Sequence, residues 1–377
     1  MSALLGVYPR LPLELVRAEG SWLFTRDGRQ IADLYGGHAV CPLGHGHPEL
    51  TAALSGAHRT LDFFSNSVLM DVQERAARAV LGDSAHLAHV HFVNSGTEAN
   101  ESAIHVARRK TGRETIVCLE NGFAGRTFGS LSVTGLSGYR SRLGARPPAH
   151  WTRTIRLNDP DAIAAIDDTV AGVLLESIVS LGGMFVPDAA WLQAIEARCR
   201  EVGALLLFDE VQGGIGRTGT WYFHEQVGVR PDAVTLAKSL GGGFPVGAMV
   251  VTPEIGRWAT SSELGTTFGG GPMAAAMVET TASIIRRDGL MARATALFDR
   301  VATGLADVPG VEVRGRGALI GVQTPKPAKD VQEALLRRDL LVGTSGHAHT
   351  LRLLPAYNLP FELVDRFVVG LREVLDA

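Results

Sequence analysis

The sequence predicts an α/β domain with a mainly parallel sheet, followed by a smaller α+β domain. Three observations carry this. Between residues 90 and 251, short apolar runs alternate with amphipathic stretches of helix length, the pattern of strands joined by crossover helices. Residues 204–208, Ala-Leu-Leu-Leu-Phe, contain no polar side chain, as expected for a strand covered on both faces. After Pro272 the alternation gives way to long helical stretches and a few short apolar runs.

Taken in order, Trp22-Leu23-Phe24 and residues 30–34 flank an Asp27-Gly28 turn and read as a hairpin. Residues 71–81 place Val72, Ala76, Ala79 and Val80 on one side of a helix. Strands are expected at 90–93, 116–119, 171–175, 204–208, 233–236 and 247–251, with helices at 97–110 and 191–202. Beyond Pro272, helices are expected to about 287, at 290–305 and at 361–375, with strands at 311–313 and 319–322. The expected division is an N-terminal segment, 1–50, joining the small domain, then a large domain, 51–275, and a C-terminal small domain, 276–377.

Composition narrows the function. The chain has 377 residues, 46% hydrophobic and 20% charged, enough to bury a large core. A net charge of -3 argues against nucleic-acid binding, which calls for a basic surplus. The first twelve residues lack the charged and apolar regions of a secretory signal. No apolar run approaches the roughly 18 residues of a membrane span. Cys41, Cys118 and Cys199 are scattered, which fits a reducing, cytoplasmic setting. The 44 glycines cluster beside apolar runs, as at strand-to-loop junctions built around a ligand.

Two segments carry most of the chemistry. Asp209 ends the apolar run of 204–208, and Lys238 follows that of 233–236, ahead of Gly241-Gly242-Gly243. The carboxyl ends of buried strands are where open α/β sheets bind ligands. Desolvation there lowers a lysine's pKa and makes it nucleophilic towards carbonyls. An aspartate paired with a pyridine nitrogen keeps that ring an electron acceptor. Together they point to pyridoxal 5′-phosphate (PLP); the alternative is a buried ion pair without a cofactor. Asn94-Ser95-Gly96-Thr97-Glu98-Ala99-Asn100 lies between a strand and a helix, where backbone N–H groups suit a phosphate, unless Thr97 is a plain N-cap. Phe123 can stack on a ring and Arg126 can grip a carboxylate, or their loop is merely solvated. Residues 265–271, Gly-Thr-Thr-Phe-Gly-Gly-Gly, offer a second phosphate contact or a linker. Arg352, alone in an apolar run, is either a carboxylate clamp or a snorkelling side chain.

Two rivals are weaker. Gly214-Ile215-Gly216-Arg217-Thr218-Gly219 fits a dinucleotide fingerprint, but Thr220-Trp221-Tyr222-Phe223 after it does not open a helix. His86, His89 and His91, or His347 and His349, lack the companion ligands of a zinc site, so no metal is expected.

As a set, these segments resemble the class III (ornithine-type) aminotransferases of PLP fold type I, nearest to the acetylornithine aminotransferase branch, from Tyr8 to the last helix. Gly96-Thr97-Glu98-Ala99-Asn100, Phe208-Asp209-Glu210-Val211-Gln212 and Lys238-Ser239-Leu240-Gly241-Gly242-Gly243 carry the resemblance, and Gly44-His45-Gly46-His47-Pro48 also matches. It implies a sheet of seven-stranded type between helices. It implies that Lys238 holds the cofactor and shuttles the proton, and that Asp209 pairs with the ring nitrogen. Gln212 would bond the ring 3-oxygen, with Val211 and Phe123 on either side of the ring and Glu176 beside the cofactor. Ser95, Gly96 and Thr97 would bind the phosphate. Thr267 would reach the phosphate of the neighbouring subunit, making a homodimer with active sites at its interface. Arg352 would hold the α-carboxylate of glutamate or 2-oxoglutarate, Arg126 the far carboxylate of a longer donor, and Tyr8 and His38 would contact substrate. The implied reaction moves the ω-amino group of an acetylornithine-like diamino acid to 2-oxoglutarate in two half-reactions. The partners are then small molecules, with neither nucleic acid nor membrane.

The sequence departs from that family at Ala124, where the family has histidine, and at Gly271, where it has asparagine. Of a glutamate-proline-x-glutamine-glycine-glutamate stretch only Glu176 survives, and Leu181 replaces the glutamate that pairs with the carboxylate-binding arginine. His38 and Cys41-Pro42 also differ. These changes point to a different donor or acceptor, or to an aminomutase or racemase on the same scaffold.

Overall fold

The computed structural model describes residues 3–142, 144 and 147–376. Met1, Ser2 and Ala377 of the expected terminal segments lie outside the described residues. Strands β1 (Leu15–Glu19), β2 (Trp22–Thr25) and β3 (Gln30–Asp33) form an antiparallel meander. Its second turn uses Gly28 at φ 85°, a conformation that disfavours any side chain.

The central sheet contains β4 (His89–Val93), β5 (Thr115–Leu119), β6 (Thr152–Ile155), β7 (Val170–Glu176), β8 (Leu205–Asp209), β9 (Ala233–Leu236) and β10 (Gly247–Val251). Its order is β4-β10-β9-β8-β7-β5-β6, and only β10 runs against its neighbours. The unbroken apolar run of β8 now has a cause. Leu205 and Leu207 pack with Ala103, Ile104 and Ala107 of the Gly96–Thr111 helix, while Leu206 and Phe208 share the opposite core with Trp191, Ile195 and Cys199 of the Ala189–Val202 helix. Each face buries alternate residues, so both sets must be apolar.

The last part of the chain holds β11 (Glu312–Arg316), β12 (Leu319–Gln323), β13 (Leu340–Leu341), β14 (Gly343–Thr344) and β15 (Thr350–Leu353). Four of these make an antiparallel sheet, β11-β12-β15-β14. Strand β13 leaves it and pairs in parallel with β3, Leu340 opposite Ala32 and Leu341 opposite Asp33. The N-terminal meander is thus closed by the C-terminal part of the chain. The helix Pro272–Arg287, expected to run across the 275/276 division, packs on helices Pro48–Thr60 and Asp71–Leu81 as well as on Leu290–Leu305. Its buried residues lie on both sides of that division, from Pro272 to Ile285. Among the described residues, no helix is long and apolar enough to cross a membrane.

Asp33, buried at the end of β3, organises the adjoining loop. Its Oδ1 accepts from the backbone N–H of Tyr35 and of Gly36, both at 2.9 Å, and its Oδ2 lies 3.0 Å from His45 Nε2. Hydrogen bonds to Asp33 and Cys41 push His45 from 6.5 up to about 10. A raised pKa stabilises the fold fully below the unfolded value and loses that effect as pH rises through the folded one. The destabilisation caused by His45→Gln is therefore expected to be largest near pH 6 and to fade towards about pH 10 in thermal denaturation. A cost independent of pH would leave His45 with a packing role alone.

Candidate active site

The carboxyl ends of β5, β7, β8 and β9 and the start of the Gly96–Thr111 helix surround one cavity of about 1670 Å³. Glu176 and Asp209 are register partners at the ends of β7 and β8. Asp209 is buried; its Oδ2 accepts from Asn100 Nδ2 at 2.7 Å and its Oδ1 from the Val211 N–H at 3.0 Å. Burial raises its pKa, against the pull of Asn100 and the Lys238 charge. Glu176 accepts from the Phe123 N–H at 2.7 Å, and burial together with repulsion from Asp209 pushes it up to about 8.

Lys238 follows β9 on a turn, in a left-handed conformation at φ 44°. Burial lowers its pKa, opposed by Asp209 and then Glu176. Gly242 closes the turn at φ 59°, where a Cβ would stand 2.6 Å from Thr281 Oγ1 and 2.7 Å from Leu50 Cδ1. The next residue after the lysine, Ser239, is held from two sides: its hydroxyl donates to the Ala39 carbonyl at 3.0 Å and accepts from Arg217 Nη2 at 3.2 Å. Arg217 is fully buried and also donates to the carbonyls of Ala39, Ala318 and Pro355. This is the arginine of the glycine-rich stretch weighed as a dinucleotide fingerprint. Its function here is to tie the lysine turn to the C-terminal sheet.

At the helix start, the cap is Ser95 and not Thr97. The Ser95 hydroxyl accepts from the Glu98 N–H at 3.2 Å and bonds Glu98 Oε2 at 3.1 Å, so the helix begins one residue earlier than expected. Gly96 admits no side chain: a Cβ would stand 2.6 Å from Val211 Cγ1. The N–H groups of Gly96 and Thr97 belong to the first turn, which has no intrahelical acceptors.

The cavity brings together Ser95, Gly96, Thr97, Phe123, Arg126, Glu176, Asp209, Val211, Gln212, Lys238, His38 and Arg352. Arg352 does not snorkel: it is buried within β15, and Leu181 lines the same cavity. Arg126 is exposed, with Tyr139, Tyr8 and Phe123 rings 5.1, 5.6 and 5.9 Å from its guanidinium carbon. Two expected residues do not line the cavity of a single chain. Tyr8 is exposed on its outer side and reaches the site only through Arg126. Thr267 is exposed beside Phe268, on a segment held by Asn66, which donates to the Thr266 and Gly269 carbonyls, and by Asn94, which donates to the Thr266 hydroxyl. Asn100 and Arg217 were not read as site residues from sequence. Among the described residues no group of three side chains is placed to hold a metal ion.

Residues 7–375 match the family described as aminotransferase class-III. Acetylornithine aminotransferase 1 of Bordetella bronchiseptica is 38% identical over 97% of this chain and 96% of its own length. The acetylornithine aminotransferase of Methanosarcina acetivorans is 37% identical over 96% of this chain and 91% of its own. The solved ornithine aminotransferase of Toxoplasma gondii superposes with a TM-score of 0.92 at 26% identity, covering 99% of this chain and 92% of that one. A second structure of that enzyme, with partial occupancy of PLP at its active site, gives 0.91 at 25% identity, with the same coverage.

Proposed function

The chain belongs to the class III aminotransferases and is a PLP-dependent transaminase, and on that premise we propose that it moves the ω-amino group of an acetylornithine-like diamino acid to 2-oxoglutarate. The observation that carries this reading is the opening of Asp209, Lys238 and Arg352 into one cavity beside a helix N-terminus. The residues fit the cofactor. Asp209 is a buried carboxylate whose two short contacts are both to amides, and a protonated ring nitrogen is the cation it lacks. With Ser95 engaged by Glu98, the Gly96 and Thr97 N–H groups remain for the phosphate.

When bound, PLP supplies a carbon that takes the amino group and a ring that accepts the electron pair released as a C–H bond breaks. Asp209, fixed by Asn100, would hold the ring nitrogen. Gln212 would bond the 3-oxygen, Val211 and Phe123 would flank the ring, and Glu176 would anchor Phe123. Lys238, its amine desolvated and less readily protonated, would hold the cofactor and then move the proton on and off the reacting carbon of the donor. Arg352 would hold the α-carboxylate of the acceptor and Arg126 the far carboxylate of the donor, with Tyr8 and His38 at the substrate. The homodimer is supported by the exposed Phe63 and Phe268, whose ring centroids lie 5.1 Å apart next to Thr267, which would complete the neighbouring phosphate site; Phe64 and Leu69 are exposed as well. Three unpaired cysteines support a reducing, cytoplasmic setting. A different amino donor is the second reading, favoured by the neutral wall that Leu181 and Ser180 present to Arg352.

Protein supplied with PLP is expected to show the visible absorption of the bound cofactor, to lose it on addition of acetylornithine and to regain it with 2-oxoglutarate. Loss with another amine only would favour the second reading. A product that keeps its nitrogen without any acceptor would make the enzyme an aminomutase or racemase. The same sample should sediment as a dimer.

A further inference from the structure

Strand β9 reads Ala-Val-Thr-Leu, and Thr235 is its one polar side chain, fully buried. Thr235 pairs in register with Asp209 of β8, so the two side chains leave neighbouring strands on the same face. The Gly96–Thr111 helix covers that face: two residues back along the strands, Leu207 and Ala233 pack with Ala103 and Ala107. Asn100 lies three residues before Ala103, on the same side of the helix. Its amide bridges the register pair. Nδ2 donates to Asp209 Oδ2 at 2.7 Å and to the Ala124 carbonyl at 2.8 Å, and Oδ1 accepts from Thr235 Oγ1 at 2.6 Å.

One assignment of hydrogens satisfies all three bonds. A carbonyl and a carboxylate only accept, so both Nδ2 hydrogens are spent on Ala124 and Asp209. The amide oxygen therefore faces Thr235, and because it too only accepts, the hydroxyl is the donor. From Thr235 through Asn100 to Asp209 the donors all point the same way, and each bond polarises the next. Asn100, Asp209 and Thr235 are all buried, so water does not stand in for a lost partner. The Asn100 bond is also the largest influence opposing the rise that burial gives to Asp209.

We propose that Thr235 is a positioning residue for amino transfer, whose hydroxyl holds and polarises the Asn100 amide so that Asp209 stays an ionised acceptor for the ring nitrogen of PLP. This rests on the reading of the cavity as the amino-transfer site. Thr235 touches neither substrate nor cofactor; it acts through Asn100 alone. Without the hydroxyl, Asn100 Oδ1 is buried with no donor, and the amide satisfies it only by leaving Asp209. Asp209 then keeps the Val211 N–H as its remaining donor and binds a proton more readily, at the expense of the ring.

The test uses Thr235→Val, which keeps the shape and removes the hydroxyl, with Thr235→Ala in its place should the valine variant not fold. Titration of the apoprotein with PLP is expected to show affinity about tenfold weaker, the scale of one buried acceptor left without its donor. With PLP labelled at the ring nitrogen, ¹⁵N NMR of the holoenzyme should show that nitrogen losing its proton about one pH unit lower than in wild type, the same tenfold. Thr235→Ser, which keeps the hydroxyl, should restore both. In an Asn100→Ala background, Thr235→Val should add nothing. A ring signal unchanged in Thr235→Val overturns the proposal, and so does an effect that persists without Asn100, since Thr235 would then act by packing. Failure of the wild type to bind PLP overturns the underlying reading and this proposal with it.

Discussion

Replacing Lys238 with alanine is expected to lower the rate of amino transfer by roughly 10³- to 10⁴-fold, the upper part of the range for loss of a positioned acid–base group. The alanine variant should still take up PLP, more weakly, because the groups around Asp209 and the helix start are untouched. Single-turnover absorption would show the donor bound and the C–H step stalled. A variant that turned over within tenfold of wild type would remove Lys238 from the proton path. The environment gives the reason for so large an effect. Burial lowers the amine's pKa, so that it can accept a proton, while Asp209 and Glu176 stabilise it once charged. Among the described residues the other lysine lining the cavity is Lys329, which is exposed, as are Glu333 and Arg337.

Asp209→Ala is the second large effect, and it should appear first in cofactor affinity. Loss of a preorganised charge from a buried site costs roughly 10²- to 10³-fold in turnover, and here the same carboxylate would hold the ring. Titration with PLP, followed through the visible band, should require a much higher concentration than wild type, and turnover should remain low at saturation. Asn100→Ala should fall between the two. It removes the 2.7 Å bond to Asp209 Oδ2 but leaves the Val211 N–H on Oδ1. If Asn100→Ala matched Asp209→Ala, the carboxylate's orientation would matter more than its charge.

The strands that lead to Asp209 and Lys238 were legible because a charged residue interrupts an otherwise apolar run. Asp209 ends five buried residues and Lys238 follows four more, and no surface strand has that pattern. The strands that were missed are edges or fragments. In β6 only Ile155 is buried, and most of β1 is exposed, so neither shows a clean alternation. Strands β13 and β14 are two residues each, too short for any periodicity. The helix Pro48–Thr60 buries only Leu50 and contains Gly56, which hides its period. Asn100 was overlooked for another reason. A polar residue inside a helix is ordinarily solvent-facing, and only the packing shows its amide shared between Ala124, Asp209 and Thr235. Arg217 looked like part of a phosphate loop because its glycines are real turns, at φ 83° and 99° for Gly216 and Gly219. What those turns admit is a buried guanidinium. Tyr8 and Thr267 carry motif resemblance but lie outside the cavity of one chain, and sequence does not distinguish a residue that serves its own subunit from one that serves a neighbour.

The pairing of β3 with β13 sets an order on the birth of this protein. Arg29 bonds Asp339 across 310 residues, and the same seam carries Leu340 opposite Ala32. A ribosome releases the N-terminal meander long before its fourth strand exists, and contacts of such separation are slow to find. Residues 89–251, which hold Asp209, Lys238 and the helix start, are complete much earlier in translation. Tyr35, His38 and Arg352 meet only when the chain has closed on itself. The nascent chain can therefore complete the strands that end in Asp209 and precede Lys238 before Arg352 joins them.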